Sequence, residues 1–338
     1  MAEIPPSLVR LLRDTSRSFY LTLRLLPAPV RPQIGLAYLL ARATDTVADT
    51  DVVSLPQRLD ALEAMRRRFL DPGAPRLDLT PIAAAGGSSA SPGELQLLQR
   101  IEEAVQVLRS FPSADQARIA WVLEVITGGQ ELDLRRFSGA SARSIIALGT
   151  GADLDDYTYR VAGCVGRFWT EICTAHLFGA EGWDEGAQLG SGVEFGKGLQ
   201  LVNILRDLPR DLRQGRCYLP ADDLASVGLR PADLLDPAKE SRLRPVYDTY
   251  LRRGEALLES GWAYTQRIPA NSRRLRLGCA LPILIGVKTL SLLRSSNPLD
   301  SSRRLKASRP WVRHAAWRSL LACWGLQDWN RLLLWAKH

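Results

Sequence analysis

The stretch 199–211, Leu-Gln-Leu-Val-Asn-Ile-Leu-Arg-Asp-Leu-Pro-Arg-Asp, indicates the fold most directly. Its polar residues Asn203, Asp207 and Asp211 recur every four positions, which places them on one face of a helix, with apolar residues on the other faces. Pro209 lacks the amide hydrogen that a helix interior needs, so we expect a kink or the end of the helix there. The stretch predicts an amphipathic helix that carries paired carboxylates.

A second pair of carboxylates is formed by Asp45 and Asp49. Tyr38, Arg42, Asp45 and Asp49 are spaced by 4, 3 and 4 positions and share one helical stripe. Mg²⁺ is usually held by one or two carboxylates together with substrate phosphates, and arginine suits forked contacts with phosphate oxygens. Because each pair stands beside an arginine, Arg42 or Arg206, the two motifs predict a diphosphate site bridged by Mg²⁺. A solvated polar stripe is the alternative for either pair alone.

Composition favours a helical protein with an anionic partner. Apolar residues make up 46% and charged residues 24%, Leu, Ala and Arg dominate, and β-branched runs are scarce. The net charge of +8 favours phosphorylated substrates, anionic lipid or nucleic acid. We expect no nucleic-acid partner, because no basic run is interleaved with aromatic residues and no nucleic-acid module occurs.

The cysteines and the apolar segments indicate a cytoplasmic protein. Five cysteines are widely spread, without disulfide or zinc spacing, so we expect reduced structural thiols. The first residues lack the basic start and apolar core of a secretory signal. The apolar stretch 278–293 contains Lys288 and is short for a bilayer span, which favours a buried helix.

The periodicity predicts one all-α domain over 1–338. Helices are predicted at 7–26, 31–49, 56–70, 112–126, 154–178, 186–208, 231–235, 245–266 and 271–293, with a loop at 71–93. Small residues at 162, 163 and 166 indicate either close helix packing or room for a ligand.

The helical segment 309–338 contains five of the nine tryptophans among basic residues and leucines. Two interpretations stay open. A basic helix with tryptophans can lie at a membrane interface, which would make the protein peripheral at the inner face of a membrane. Alternatively, the segment caps the fold and buries its indoles.

Five motifs follow one another along nearly the whole chain. They are Ser16-Arg-Ser-Phe19, Tyr38-x-x-x-Arg42-x-x-Asp45-Thr-Val-Ala-Asp49, Tyr157-x-x-x-Val-Ala-Gly-x-Val-Gly166, Gln200-x-x-Asn203-Ile-x-Arg206-Asp207-x-x-x-Asp211 and Gly215-Arg-x-Tyr-Leu-Pro220. This ordered set resembles the squalene and phytoene synthase family of head-to-head prenyl transferases. Ala43-Thr-Asp-Thr-Val-Ala-Asp49, Cys279-Ala-Leu-Pro-Ile283 and Leu305-Lys-Ala-Ser-Arg309 look most like a bacterial squalene synthase.

The resemblance implies a class I terpenoid synthase helical fold around an apolar cavity that takes two farnesyl diphosphates. It assigns the metal ligands Asp45, Asp49, Asn203, Asp207 and Asp211. It assigns the substrate contacts Ser16, Arg17, Phe19, Tyr38, Arg42, Gln200, Asn203 and Arg206. Tyr157 matches the family's proton-transfer tyrosine, and Lys306 and Arg309 would contact NADPH phosphates, although the chain has no Gly-x-Gly-x-x-Gly turn.

The expected function is therefore that of a squalene synthase. It would condense two farnesyl diphosphates with Mg²⁺ through presqualene diphosphate and reduce the product with NADPH. A dehydrosqualene or phytoene synthase without the reductive step is the nearest alternative. A non-catalytic, membrane-associated helical scaffold is the alternative from another class.

Overall fold

The computed structural model describes residues 4–16, 19–86, 90–178, 183–302 and 305–338, apart from the side chains of Phe19 and Leu21. Within these residues the helices are α1 (Pro6–Ser16), α2 (Phe19–Leu25), α3 (Arg31–Asp49), α4 (Leu55–Leu70), α5 (Thr80–Ala85), α6 (Pro92–Gln99), α7 (Ile101–Ser110), α8 (Ser113–Arg136), α9 (Gly151–Thr158), α10 (Cys164–Leu177), α11 (Glu185–Arg213), α12 (Ala221–Ser226), α13 (Glu240–Arg267), α14 (Arg273–Arg294), α15 (Arg309–Cys323) and α16 (Trp329–Lys337). Two strands of two residues each, β1 (Ile146–Ala147) and β2 (Arg216–Cys217), pair in parallel. The regular secondary structure of the described residues is thus almost entirely helical, which confirms the all-α prediction.

The chain forms two compact units. The first comprises 1–135 and 168–182, and the second comprises 136–167 and 183–338. That 1–338 is a single domain stays a prediction. All five cysteines are buried thiols outside any disulfide bond, as expected for structural cysteines.

In the first unit, α3 is the central helix. Its buried face, with Leu36, Leu39, Leu40 and Val47, packs against α1, α4, α6 and α7. Pro32 lies in the first turn, where a missing amide hydrogen costs nothing. This packing fixes the side chains on the opposite stripe of α3, which include both aspartates.

A buried ion pair holds the segment that follows α4. Nε and Nη2 of Arg68 donate to the two carboxylate oxygens of Glu102, each over 3.1 Å, and Nη1 of Arg68 donates to the carbonyls of Pro72 and Ala74. Glu102 also accepts from the Leu77 amide. Although burial opposes its charge, the bonds from Arg68 and Leu77 lower the pKa of Glu102.

Several predicted boundaries in the first unit are wrong. The helix predicted over 7–26 is observed as α1 up to Ser16 and as α2 from Phe19 to Leu25, and residues 17 and 18 lie outside the described residues. The loop predicted over 71–93 contains α5. The helix predicted over 112–126 continues to Arg136, because Gly129, Gln130 and Leu134 are buried and packing maintains the helix beyond the glycines.

In the second unit, α11 is the central helix. It packs against α9, α13, α14 and a single π-helical turn, Tyr159–Gly163, between α9 and α10. The predicted helix over 154–178 is thus interrupted by a π-turn, a feature that is frequent at functional sites.

The contact between α11 and the preceding helices leaves no room for side chains. A Cβ atom on Gly166 would lie 1.8 Å from the Gly192 carbonyl oxygen, and one on Gly196 would lie 2.2 Å from the Ala162 carbonyl oxygen. Of the two interpretations of these small residues, close helix packing is the one observed at Ala162 and Gly166.

Of the kink or helix end expected at Pro209, the helix end is wrong, because α11 continues through this residue to Arg213, and the kink stays a prediction. A proline cannot donate to the carbonyl four residues earlier, which here belongs to Leu205. The Tyr247 hydroxyl of α13 donates to that carbonyl instead, at 2.9 Å. Both residues are buried, and burial raises the pKa of Tyr247, so the hydroxyl keeps its proton.

The helix predicted over 271–293 is α14, and it is buried to a large extent, as expected. Among the described residues, only this helix is long and apolar enough to cross a membrane, and 56% of its most apolar window is buried. It packs against α11, α13, α15 and α16. These contacts are those of a core helix of the second unit.

Candidate active site

The first acidic motif forms a polar stripe on α3. Nη2 of Arg42 donates to the Tyr38 hydroxyl at 3.2 Å, and Nη1 of Arg42 lies 3.7 Å from an Asp45 carboxylate oxygen. The Tyr38 hydroxyl in turn donates to the Thr15 carbonyl at the end of α1. The predicted stripe of Tyr38, Arg42, Asp45 and Asp49 is therefore a continuous helical surface.

The Asp45 side chain is partly desolvated by the surrounding protein, but part of its surface is accessible to a ligand. Its side chain keeps 43% of its accessible surface. Desolvation raises the pKa of Asp45 to about 6; Arg42 opposes this rise, and Asp49 adds to it. The buried Gln130 of α8 donates its Nε2 hydrogen to the carboxylate. A cation at this position would relieve both the desolvation and the repulsion between carboxylates.

The position of the two aspartates at the end of α3 also favours a cation. Asp49 is the last residue of the helix, where the helix dipole is negative, and the last turn contains no basic residue. Arg58 already brings positive charge to this end, because its Nη1 donates to the Ala48 carbonyl at 2.9 Å. A divalent metal beside the two carboxylates would add to that stabilisation.

The second acidic motif lies on one face of α11. Gln200, Asn203, Asp207 and Asp211 are all partly buried, and the Asn203 amide lies 3.4 Å from the Gln200 side-chain oxygen. Arg206 makes a two-pronged contact with Asp207, with Nε and Nη2 at 3.0 and 2.6 Å from the carboxylate oxygens. Asp207 is thus oriented by an arginine before any metal binds.

These acidic residues fit Mg²⁺ only when a substrate completes its ligand shell. In the described part of the chain, no three His, Cys, Asp or Glu side chains are grouped so that they could hold a metal ion by themselves. Mg²⁺ typically keeps few protein carboxylates and fills its octahedron with water and phosphate oxygens. Paired aspartates next to an arginine match that donor set.

Tyr157 lies in the second unit against an aromatic cluster. Its ring stacks on Tyr218, with centroids 4.6 Å apart, and Tyr218 meets Phe137 edge to face at 5.2 Å. Tyr218 follows the turn at Gly215, whose φ of 84° and close contact with the Ser141 amide exclude a side chain. The Gly215 turn thereby positions the ring on which Tyr157 rests.

The other predicted contact residues are placed as follows. Ser16 is buried and its hydroxyl donates to the Leu12 carbonyl within α1. Arg17 and the Phe19 side chain lie outside the described residues. Lys306 and Arg309 are exposed beside the start of α15. The roles of these five residues stay predictions.

Two residues that lie near the first acidic motif were not predicted from the sequence. Gln130 was missed because the predicted helix stopped at 126, so no periodic pattern carried it toward Asp45. Glu94 is buried, caps α6 together with Ser91, and lies 3.9 Å from Arg42. Its capping-box spacing is visible in the sequence, but its proximity to α3 is a tertiary contact.

Comparisons with known proteins find similar chains over most of the length of this one. The family model described as squalene/phytoene synthase matches residues 12–311. A presqualene diphosphate synthase of Rhodopseudomonas palustris is 30% identical over 245 residues, which cover 71% of this chain and 71% of that protein. A bifunctional lycopene cyclase/phytoene synthase of Phycomyces blakesleeanus is 28% identical over 313 residues, which cover 89% of this chain and 47% of that protein. The chain spans about half the length, or less, of the bifunctional relatives that it matches.

The fold is likewise similar to that of solved structures. The complex of TcSQS with the ligand BPH1237 matches with a TM-score of 0.77 at 20% identity, over 98% of this chain and 89% of that one. The likeness confirms the predicted all-α terpenoid synthase fold.

Proposed function

Since the chain belongs to the squalene/phytoene synthase family of prenyltransferases, we propose that it is a squalene synthase. It condenses two farnesyl diphosphates head to head through presqualene diphosphate and reduces the product with NADPH. The observation that carries the proposal is the pair of aspartate motifs, each on a helix face and each with an arginine within 4 Å of a carboxylate. The sequence of the motif at 43–49 resembles that of squalene synthases, which favours squalene over related products.

Residues of both motifs would bind the diphosphates. Asp45 and Asp49, together with Asn203, Asp207 and Asp211, would hold Mg²⁺, which supplies positive charge for the departing diphosphate. Arg42 and Arg206 would contact phosphate oxygens directly and stabilise the negative charge that develops there. Tyr38 would orient Arg42 through the 3.2 Å contact.

Tyr157 would handle the proton that is lost when the cyclopropane ring of presqualene diphosphate closes. The first allylic cation is attacked by the double bond of the second farnesyl group, and a carbon-bound proton must then leave. The phenolic oxygen of Tyr157 would relay that proton to the released diphosphate. Stacking on Tyr218 at 4.6 Å restrains the ring for this role.

Reduction separates squalene synthases from the nearest alternatives. NADPH would supply the hydride that converts the rearranged cation into squalene, and Lys306 and Arg309 are the proposed phosphate contacts. Without hydride, proton loss would give dehydrosqualene, or phytoene from a longer substrate. The relatives named phytoene synthase favour this second candidate.

One incubation distinguishes these products. Purified protein is mixed with Mg²⁺ and either farnesyl or geranylgeranyl diphosphate, with and without NADPH, and the products are identified by mass spectrometry. We expect squalene only with farnesyl diphosphate and NADPH, and presqualene diphosphate without NADPH. The same polyene with and without NADPH would refute the reductase assignment, and a preference for geranylgeranyl diphosphate would favour phytoene.

The metal role of the aspartates is tested by Asp49→Asn and Asp207→Asn. Each should lower turnover by at least about 100-fold, because a charge that faces the leaving diphosphate is lost. Their melting temperatures should stay close to that of the wild type. Asp51→Asn, an exposed neighbour that is no part of the motif, is the control. Undiminished turnover in either motif variant would refute the metal role of that aspartate, whereas a wild type without turnover would support the non-catalytic scaffold.

A further inference from the structure

The surface of the helices α15 and α16 is unusually apolar. Ten large apolar side chains are exposed in the described part of the chain, and five of them lie in 309–338. Trp317, Trp324 and Leu326 expose 60%, 61% and 74% of their surface. Exposed apolar groups in such density mark a surface that binds something.

The segment is a cap on one face and a free surface on the other. Ala315, Ser319 and Ala322 are buried on the side of α15 that packs against α14. Trp311 and Trp335 stack on each other with centroids 4.9 Å apart and are partly buried. Capping therefore accounts for part of the segment, and the two exposed indoles require another explanation.

The exposed residues form one stripe that continues past the end of α15. Arg313, Trp317, Leu320 and Trp324 follow at intervals of 4, 3 and 4, which is one helical face. The helix ends in a Schellman turn, in which the Leu326 amide donates to the Leu321 carbonyl. In such turns this residue usually packs back onto the helix. Leu326 is instead exposed to solvent, two positions after the exposed Trp324.

Positive charge surrounds this stripe. Residues 305–338 contain six lysines and arginines and one aspartate. The Arg273 guanidinium, from the start of α14, lies 4.2 Å from the centre of the Trp324 ring. Indoles and leucines with arginines at their edge match the boundary between acyl chains and anionic headgroups.

We propose that Trp317, Leu320, Trp324 and Leu326, called here the tryptophan stripe, dock the protein on an anionic phospholipid bilayer. The apolar side chains enter the acyl boundary, while Arg273 and Arg313 contact lipid phosphates. The protein binds in the plane of the interface and does not span the bilayer. This binding needs neither prenyl substrate nor metal, so it is tested independently of the enzymatic activity.

Vesicle sedimentation of the full-length protein tests the tryptophan stripe. The variant Trp317→Ser/Trp324→Ser/Leu326→Ser is compared with Val52→Ser/Leu235→Ser, which removes exposed apolar groups elsewhere. Substitution is preferable to truncation, because Ala315 and Leu332 belong to the core of the second unit. We expect the stripe variant to bind phosphatidylglycerol-containing vesicles at least tenfold more weakly, with the control unchanged.

A charge test accompanies it. Arg273→Gln/Arg313→Gln should weaken binding to anionic vesicles and reduce its dependence on salt, and phosphatidylcholine vesicles should bind the wild type at least tenfold more weakly. Equal sedimentation of wild type and stripe variant would overturn the proposal. A second outcome would also overturn it: neither the wild type nor the stripe variant binds vesicles, and light scattering shows a dimer of the wild type that the stripe variant does not form. The stripe would then join two copies of the chain.

Discussion

Tyr247→Phe tests how α11 continues past Pro209 toward Asp211. The Tyr247 hydroxyl is the donor that the structure shows at the Leu205 carbonyl, in place of the amide hydrogen that Pro209 lacks. Since the site is buried, removal of the hydroxyl leaves an acceptor unpaired while the ring still fills its space. This should cost about 1–3 kcal/mol of unfolding free energy.

A double-mutant cycle isolates this contact. Pro209→Ala restores an amide hydrogen four residues after Leu205. In that background, the loss of unfolding free energy caused by Tyr247→Phe should be smaller by about 1 kcal/mol or more. A coupling of this size is typical of groups that share one partner. The four proteins are compared by denaturant unfolding followed by circular dichroism. Tyr250→Phe, whose hydroxyl bonds to Asp223, is the control and should cost the same in both backgrounds. An equal cost of Tyr247→Phe in both would refute the explanation.

Three further predictions concern stability. Glu102→Gln leaves the buried Arg68 without its charge partner and should lower the unfolding free energy by about 3 kcal/mol; an unchanged denaturant midpoint would contradict this. Gly196→Ala should destabilise the protein by about 1–3 kcal/mol through overpacking, whereas Gly190→Ala, which has open space around it, should stabilise the protein by up to about 1 kcal/mol. Equal melting temperatures of these two variants would contradict the close helix contact. Asp45 has a pKa raised to about 6, so its ionisation destabilises the folded state as pH rises through that value. In EDTA, the melting temperature of Asp45→Asn relative to that of the wild type should therefore be higher at pH 7.5 than at pH 5. A difference between the two proteins that does not change with pH would contradict the raised pKa.

Local spacing was sufficient for the elements that carry the chemistry. The intervals of 4, 3 and 4 from Tyr38 to Asp49 follow directly from 3.6 residues per turn, so their shared stripe was predictable without any tertiary contact. The same holds for Asn203, Asp207 and Asp211 on α11. The order of the motifs was also enough to identify the family.

Remote partners were not predictable from that spacing. Gln130 reaches Asp45 from 85 positions away, and Tyr247 reaches the Leu205 carbonyl from 42 positions away. The proline rule allowed a helix end at Pro209 that is not observed, because it considers the helix alone, in which no side chain replaces the lost donor.

The sequence by itself therefore determined an all-helical chain with two aspartate motifs and a tryptophan-rich final segment, since helix periodicity depends only on near neighbours. Tertiary structure alone decided that α11 passes through Pro209, that Gln130 holds Asp45, and that Trp317 and Trp324 face solvent while Trp311 and Trp335 stack together. The physical reason is that burial and hydrogen-bond partners depend on which distant surfaces meet, and residue spacing along one helix does not specify that.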